Sequence, residues 1–597
     1  MFGNLSFMLP VPNTARGPPK DVPPPTPINL PRCFPQAPAG DHAGPTSGKP
    51  PRPLTAVLQG IVRPTEVTVA HLEALGTHVV PDAAPAQIIP DPAFIPDFDA
   101  WHALSTEDGH ALNESTRKRL NTGNLSPGCQ TYLERRRELS IANEAAYRTI
   151  RRMPPPKGQP QARLGNAYEF YRLLELFSAF WEDTSKPPAK PTPAPAAAAD
   201  GNGTPAPEGD NKPPEIDTDA VTFYRSGAGH QMPIEYRQNM ITAFLKLVAY
   251  DFTCNVSAPR TEPRLHITSN PTRGSPCSSY FSSGCTFIFR SPNTREAARA
   301  GIVEGPVAAV SARHTTSFPA HPPRDSSASA KPDFDSTLDL AREVVAALIT
   351  AQHRAREGRV EKRIGADAWW CSKPRWGGGP GGPIGREVEM LSGADQTVGD
   401  KDAPPSSPAP SSSSSPGGDG GGGGGGVALP QRPFSSRPST KSPFPGGGLD
   451  GASKSAKRLK KSGNLPMYDN YRIVRPPAAT WDRKTRYEAI GRVRGAGHDD
   501  VFVVSALLHH VSVLRVRVPE GLLAVLAGET SDEGDKSWGR LEVWRSPWFD
   551  LFRVDDRVAA MQLVWSMMAY MMREQPPADG DDREEVQGEV DVKMTGA

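Results

Sequence analysis

No two of the six cysteines are spaced as CxxC, and none stands at a Cys/His interval suited to zinc. Cys33, Cys129, Cys254, Cys277, Cys285 and Cys371 are therefore read as reduced thiols of an intracellular protein. Long apolar runs are also missing. No segment approaches eighteen apolar residues, and Met1 to Pro10 has neither early positive charge nor an h-region. The expectation is a chain that neither crosses a membrane nor follows the usual secretory route. Charge of one sign is not in excess: 68 Lys and Arg face 66 Asp and Glu, for a formal net charge of +2. Nucleic-acid binding by bulk charge alone is thereby excluded, although local basic stretches survive the average. GxSxG, HExxH, the kinase set and the dinucleotide fingerprint do not occur.

Proline and glycine are abundant, at 66 and 55 of 597 residues, which removes much of the chain from any core. Residues 1–128 read as a mostly disordered Pro-rich region, 129–184 as a helical segment and 185–219 as a disordered linker. Residues 220–391 read as an α+β segment, 392–466 as a Ser/Gly/Pro-rich linker with a basic signal, 467–573 as a second α+β segment and 574–597 as a disordered acidic tail. Lengthening a loop costs entropy only logarithmically, so such tracts sit well inside a fold. The expected fold class is α+β, one discontinuous domain with long disordered insertions and a disordered N-terminal region. The competing architecture has two small domains split at the 392–465 linker.

Residues 468–573 carry the cleanest periodicity. Val511 to Val518 alternates as a half-buried strand with Arg515 and Arg517 on a wetter face, and Leu541 to Trp544 alternates again. From Asp555 the period becomes helical, with Val558, Met561, Val564, Trp565, Met568 and Met571 forming an inward stripe. Further helices are predicted over 165–184, 236–250 and 335–356, an exposed one over 131–153, and strands over 264–268, 286–290 and 307–310. A helical patch at 69–75 and a linear motif of Phe94, Phe98 and Trp101 that docks on the folded body are the features expected of the N-terminal region.

The glycines at 377–387 invite a phosphate-binding reading, but no Gly-Lys-Ser/Thr follows and Pro380 and Pro383 remove donors. Cys371 beside Trp369 and Trp370 reads as a packed thiol. His509 and His510, taken as adjacent strand residues, point to opposite faces and make poor joint ligands. His498-Asp499-Asp500 reads as a turn before the strand Val501 to Val504. No catalytic residue, metal ligand set or cofactor is expected.

Lys457, Arg458, Lys460 and Lys461 have the form of a monopartite nuclear-import signal. Ser407, Ser415 and Ser442 each precede proline, suiting proline-directed kinases, whose phosphate would weaken a basic signal nearby. From Lys454 to Arg494, twelve Lys and Arg face three acids, a local net of +9 with aromatics interleaved. Arg472, Arg475, Trp481, Arg483, Lys484 and Arg486 would grip phosphates and stack on bases there.

Tyr236-Arg237-Gln238-Asn239 through Tyr250-Asp251-Phe252, Trp376 to Glu387, and Tyr468 to Arg472 through His510-Val511-Ser512-Val513 resemble a group of uncharacterised proteins from filamentous ascomycete fungi. No activity is assigned to that group, so the resemblance transfers no catalytic residue. The leading expectation is a non-catalytic protein-interaction or regulatory protein of the nucleus, or of nucleus and cytoplasm, with phosphorylated arms and a protein partner. The alternative is a nucleic-acid-binding protein using the basic 454–494 arm. An enzyme with a site near 369–387 is the least favoured reading.

Overall fold

Val511 and Val513 turn to one side of their strand and Leu514, Val516 and Val518 to the other, and each set enters a different core. The strand is thus buried on both faces, not half-buried as its alternation suggests. Arg515 is buried too, its guanidinium 3.5 Å from the centre of the Trp544 ring. The computed structural model describes residues 23–32, 52–155, 158–186, 224–257, 263–269, 277–290, 302–316, 318–320, 333–357, 486–493, 495–530 and 536–575.

The strands are β1 (Thr77–Val80), β2 (Cys254–Ser257), β3 (Arg264–Ser269), β4 (Cys277–Ser282), β5 (Thr286–Arg290), β6 (Ile302–Arg313), β7 (Arg486–Glu488), β8 (His498–Leu507), β9 (His510–Pro519), β10 (Leu541–Arg545) and β11 (Phe549–Asp550). A mixed sheet runs β1-β10-β9-β8-β6-β5-β2, with β11 added to β9 and β7 to β6, while β3 and β4 form a separate ribbon. β6 pairs in parallel with β8 from Ala308↔Phe502 to Arg313↔Leu507. Segments on either side of residues 392–466 therefore share one sheet and one α+β fold.

Helices cover both faces. We label α1 (Cys129–Leu139), α2 (Asn143–Ile150), α3 (Tyr168–Ser178), α4 (Ile234–Ala249), α5 (Phe334–Arg354) and α6 (Val554–Met571). The Met/Trp stripe of α6 packs with α3, α4 and the β8 residues Phe502 and Val504. On the opposite face, Val344, Ala347 and Leu348 of α5 meet Val501, Val503 and Leu514.

Two further expectations about the elements fail. The reading of residues 1–128 as mostly disordered does not hold from Arg52 onward, where short helices occur and β1 pairs in parallel with β10 (Thr77↔Leu541). The single exposed helix over 131–153 is two helices, α1 and α2, with Tyr132, Leu139 and Tyr147 buried. Buried Arg557 of α6 donates to the carbonyls of Leu139 (2.6 Å) and Ile141 (2.5 Å) at the break, and to Asn143 Oδ1 (2.6 Å). A cation at a helix C-terminus also complements its dipole.

Candidate functional site

Between α5 and the sheet lies a buried ion cluster. Arg313 donates to Asp339 Oδ1 (2.6 Å) and to Glu343 Oε1 (2.9 Å), while Arg545 donates to both oxygens of Glu343 (2.8 and 3.1 Å). Ser505 donates to Glu343 as well. These charges are spent on one another, and removing one partner would leave another buried and uncompensated. His498, Asp499 and Asp500 belong to β8 rather than to a preceding turn. Asp499 lies 3.0 Å from Arg354 of α5, and Asp500 accepts from Arg517 at 3.2 Å. Burial pushes the Asp499 carboxyl up, with Arg354 opposing the rise.

At the β8–β9 turn the chemistry differs. β8 ends at Leu507 and β9 starts at His510, and those two residues pair, so Leu508 and His509 form a two-residue loop. Leu508 is left-handed (φ 56°), a conformation that glycine adopts at lower cost. His509 is therefore not a strand residue, and the strand alternation that would separate it from His510 does not apply. The two rings lie 4.4 Å apart at 38°.

β11 completes the group, since Asp550 pairs with His510 and the Leu551 amide donates to the His509 carbonyl at 3.0 Å. Asp550 Oδ1 is 3.5 Å from His509 Nε2, and Oδ2 is 3.9 Å from His510 Nε2. The Phe552 amide (3.0 Å) and the Thr184 hydroxyl hold the two carboxylate oxygens in place. Among the described residues this is the group of His, Cys, Asp and Glu whose ligand atoms converge, all within 4.8 Å.

His509 is fully buried against Phe552 (4.6 Å) and Trp181 (6.0 Å). Neither of its ring nitrogens has a hydrogen-bond partner, nor has Nδ1 of His510. Burial, reinforced by His510, holds His509 well below the usual imidazole range. Burial also lowers His510, against the pull of Asp550 and Asp556. Gly229 lets the neighbouring chain approach, because a Cβ there would stand 2.3 Å from the Trp181 ring.

A groove of about 280 Å³ opens elsewhere on the surface. Phe94, Trp101, Phe252 and Trp565 line it, with exposed Lys118 and Arg119 at its rim. Trp101 packs against Tyr132 (5.4 Å) and Phe94 against Tyr570 (5.9 Å), so both are anchored to the core.

Of the residues singled out by sequence for nucleic acid, Arg486 lies at the start of β7, paired in parallel with Ile302 of β6. Arg472, Arg475, Trp481, Arg483 and Lys484 lie outside the described residues. So do Lys457, Arg458, Lys460, Lys461, Ser407, Ser415, Ser442 and the 369–387 region. The chain matches no protein-family model, and neither a curated protein nor a solved structure is similar to it. Among the described residues, no helix is long and apolar enough to cross a membrane.

Proposed function

We propose that the chain is a non-catalytic nuclear protein-interaction or regulatory protein whose α+β body binds a protein partner in the Phe94/Trp101 groove. The observation that carries this reading is the groove itself. Partly exposed aromatic rings fixed to a rigid core are the usual anchors of protein interfaces. Lys118 and Arg119 at the rim suit an acidic residue next to a large apolar anchor in the partner. The basic signal at Lys457, Arg458, Lys460 and Lys461 supports nuclear import, and Ser442-Pro443 nearby offers control of it by phosphate.

A second reading, nucleic-acid binding by the 454–494 arm, is favoured by its local net charge of +9. Capture of the full chain from nuclear extract at moderate and high salt, with and without nuclease, separates the two. A protein partner that survives both treatments and is lost with Trp101→Ala supports the groove reading. Recovery of nucleic acid, lost in salt or on replacing Lys457, Arg458, Lys460 and Lys461 with alanine, supports the second reading and overturns the first.

A further inference from the structure

We infer that His509, His510 and Asp550 form a binding site for a first-row divalent cation of the zinc class. The inference goes beyond partner binding and is independent of it, resting on the end of the β8–β9 hairpin alone.

A neutral imidazole has one acceptor nitrogen, and when it is buried with no donor in reach that lone pair goes unmet. His509 is such a group, with both ring nitrogens unpartnered at 0% exposure. Its Nε2 and that of His510 face the two oxygens of one carboxylate at 3.5 and 3.9 Å. Four-coordinate zinc, with bonds of about 2.0–2.1 Å, holds its ligand atoms about 3.3 Å apart. The donors, which lie within 4.8 Å of one another, thus need to close by up to about 1.5 Å, a movement to which rotation of the His510 side chain contributes.

The donor types select the ion. Two imidazole nitrogens and one carboxylate suit zinc, cobalt, nickel or iron(II), whereas calcium and magnesium prefer sites made of oxygen. No sulfur stands in the group, so a thiolate-loving ion such as copper(I) is not favoured. The surroundings orient the carboxylate: the Thr184 hydroxyl and the Phe552 amide fix it, while Trp181 and Phe552 wall the His509 imidazole. In the loop that places His509 beside His510, Leu508 takes a left-handed conformation. Three protein ligands leave a fourth position for water or another small ligand. A bound cation would tie the hairpin end to the chain at Phe549–Phe552, since the three ligands come from both.

The test is cobalt(II) titration of the untagged, chelator-treated full chain, read by visible absorption and by protein-bound metal after gel filtration. The expected result is one cobalt per chain with d–d bands of a four- or five-coordinate site, displaced by zinc. Asp550→Asn and His510→Gln should each weaken binding at least tenfold. X-ray absorption of the zinc-loaded wild-type chain needs no variant to fold, and should show a shell of two imidazoles plus oxygen at about 2.0–2.1 Å. Failure of the wild type to retain cobalt, equal retention by both folded variants, or a zinc shell containing sulfur or lacking imidazole would each overturn the inference.

Discussion

Glu343 of α5 holds Arg545 of β10 with both carboxylate oxygens, at 2.8 and 3.1 Å, while one of those oxygens also accepts from Arg313 at 2.9 Å. One carboxylate therefore balances two buried guanidiniums, with Asp339 sharing the load at Arg313. Glu343→Ala leaves that charge uncompensated between helix and sheet. The expected loss is about 3–5 kcal/mol, read from the urea midpoint. A midpoint within error of wild type contradicts this account of the cluster.

Arg557 serves backbone rather than carboxylate. Replacing it with methionine keeps the apolar stem but orphans the carbonyl of Leu139 and leaves that of Ile141 with the Tyr171 hydroxyl alone. Destabilisation on the order of 3 kcal/mol is expected, with hydrogen exchange accelerated over residues 129–150 before the sheet is affected. Uniform acceleration across the fold would show that the clamp is not local.

Glu304 of β6 gives a pH dependence. Burial raises its pKa from 4.5 to about 7, with Arg290 of β5 opposing and Glu488 of β7 adding to the rise. Between those values the folded chain holds a proton that the unfolded chain has released, so this group's contribution to stability falls as pH rises through the window. Glu304→Gln removes the slope. Wild type should therefore compare more favourably with the variant near pH 5 than at about pH 7.5, measured by parallel denaturation. A difference that is flat or of opposite sign refutes the assignment.

Gly229 has no room for a side chain, since its Cβ would meet the Trp181 ring at 2.3 Å. Gly229→Ala should shift the indole and cost about 1–3 kcal/mol, visible together as a lower melting temperature and a changed near-ultraviolet circular dichroism spectrum. An unchanged spectrum would mean that the backbone, and not Trp181, moves.

The long elements are legible in sequence because periodicity reports burial. The Met561/Trp565/Met568 stripe and the alternation from Val511 to Val518 carry their partners' positions in their spacing. Apart from the helical patch at 69–75, found as the helix Val69–Ala74, the region from Arg52 to Pro127 is not legible in that way. Its helices are three to seven residues long, and β1 is a four-residue strand whose neighbour β10 lies more than 450 residues away. Such pieces gain their stability from tertiary contacts and show little local pattern. The histidine pair is misread for a different reason. Leu508-His509 has none of the Asn, Asp or Gly that mark a two-residue hairpin loop, so the sequence reads as strand straight through it. The groove is not foreseen: Phe94 and Trp101 are expected to dock on the folded body, but their place beside Phe252 and Trp565, where they line a groove, is set by the fold.

Partner binding at the groove is the central claim, and site-specific photocrosslinking in nuclei tests it most directly. A benzophenone side chain replacing Ile95, in the groove, is compared with one replacing exposed Val62, outside it. The account predicts a discrete protein adduct from position 95, resistant to nuclease and absent from position 62. Adducts that are equal at both positions, or that disappear on nuclease digestion, would contradict it.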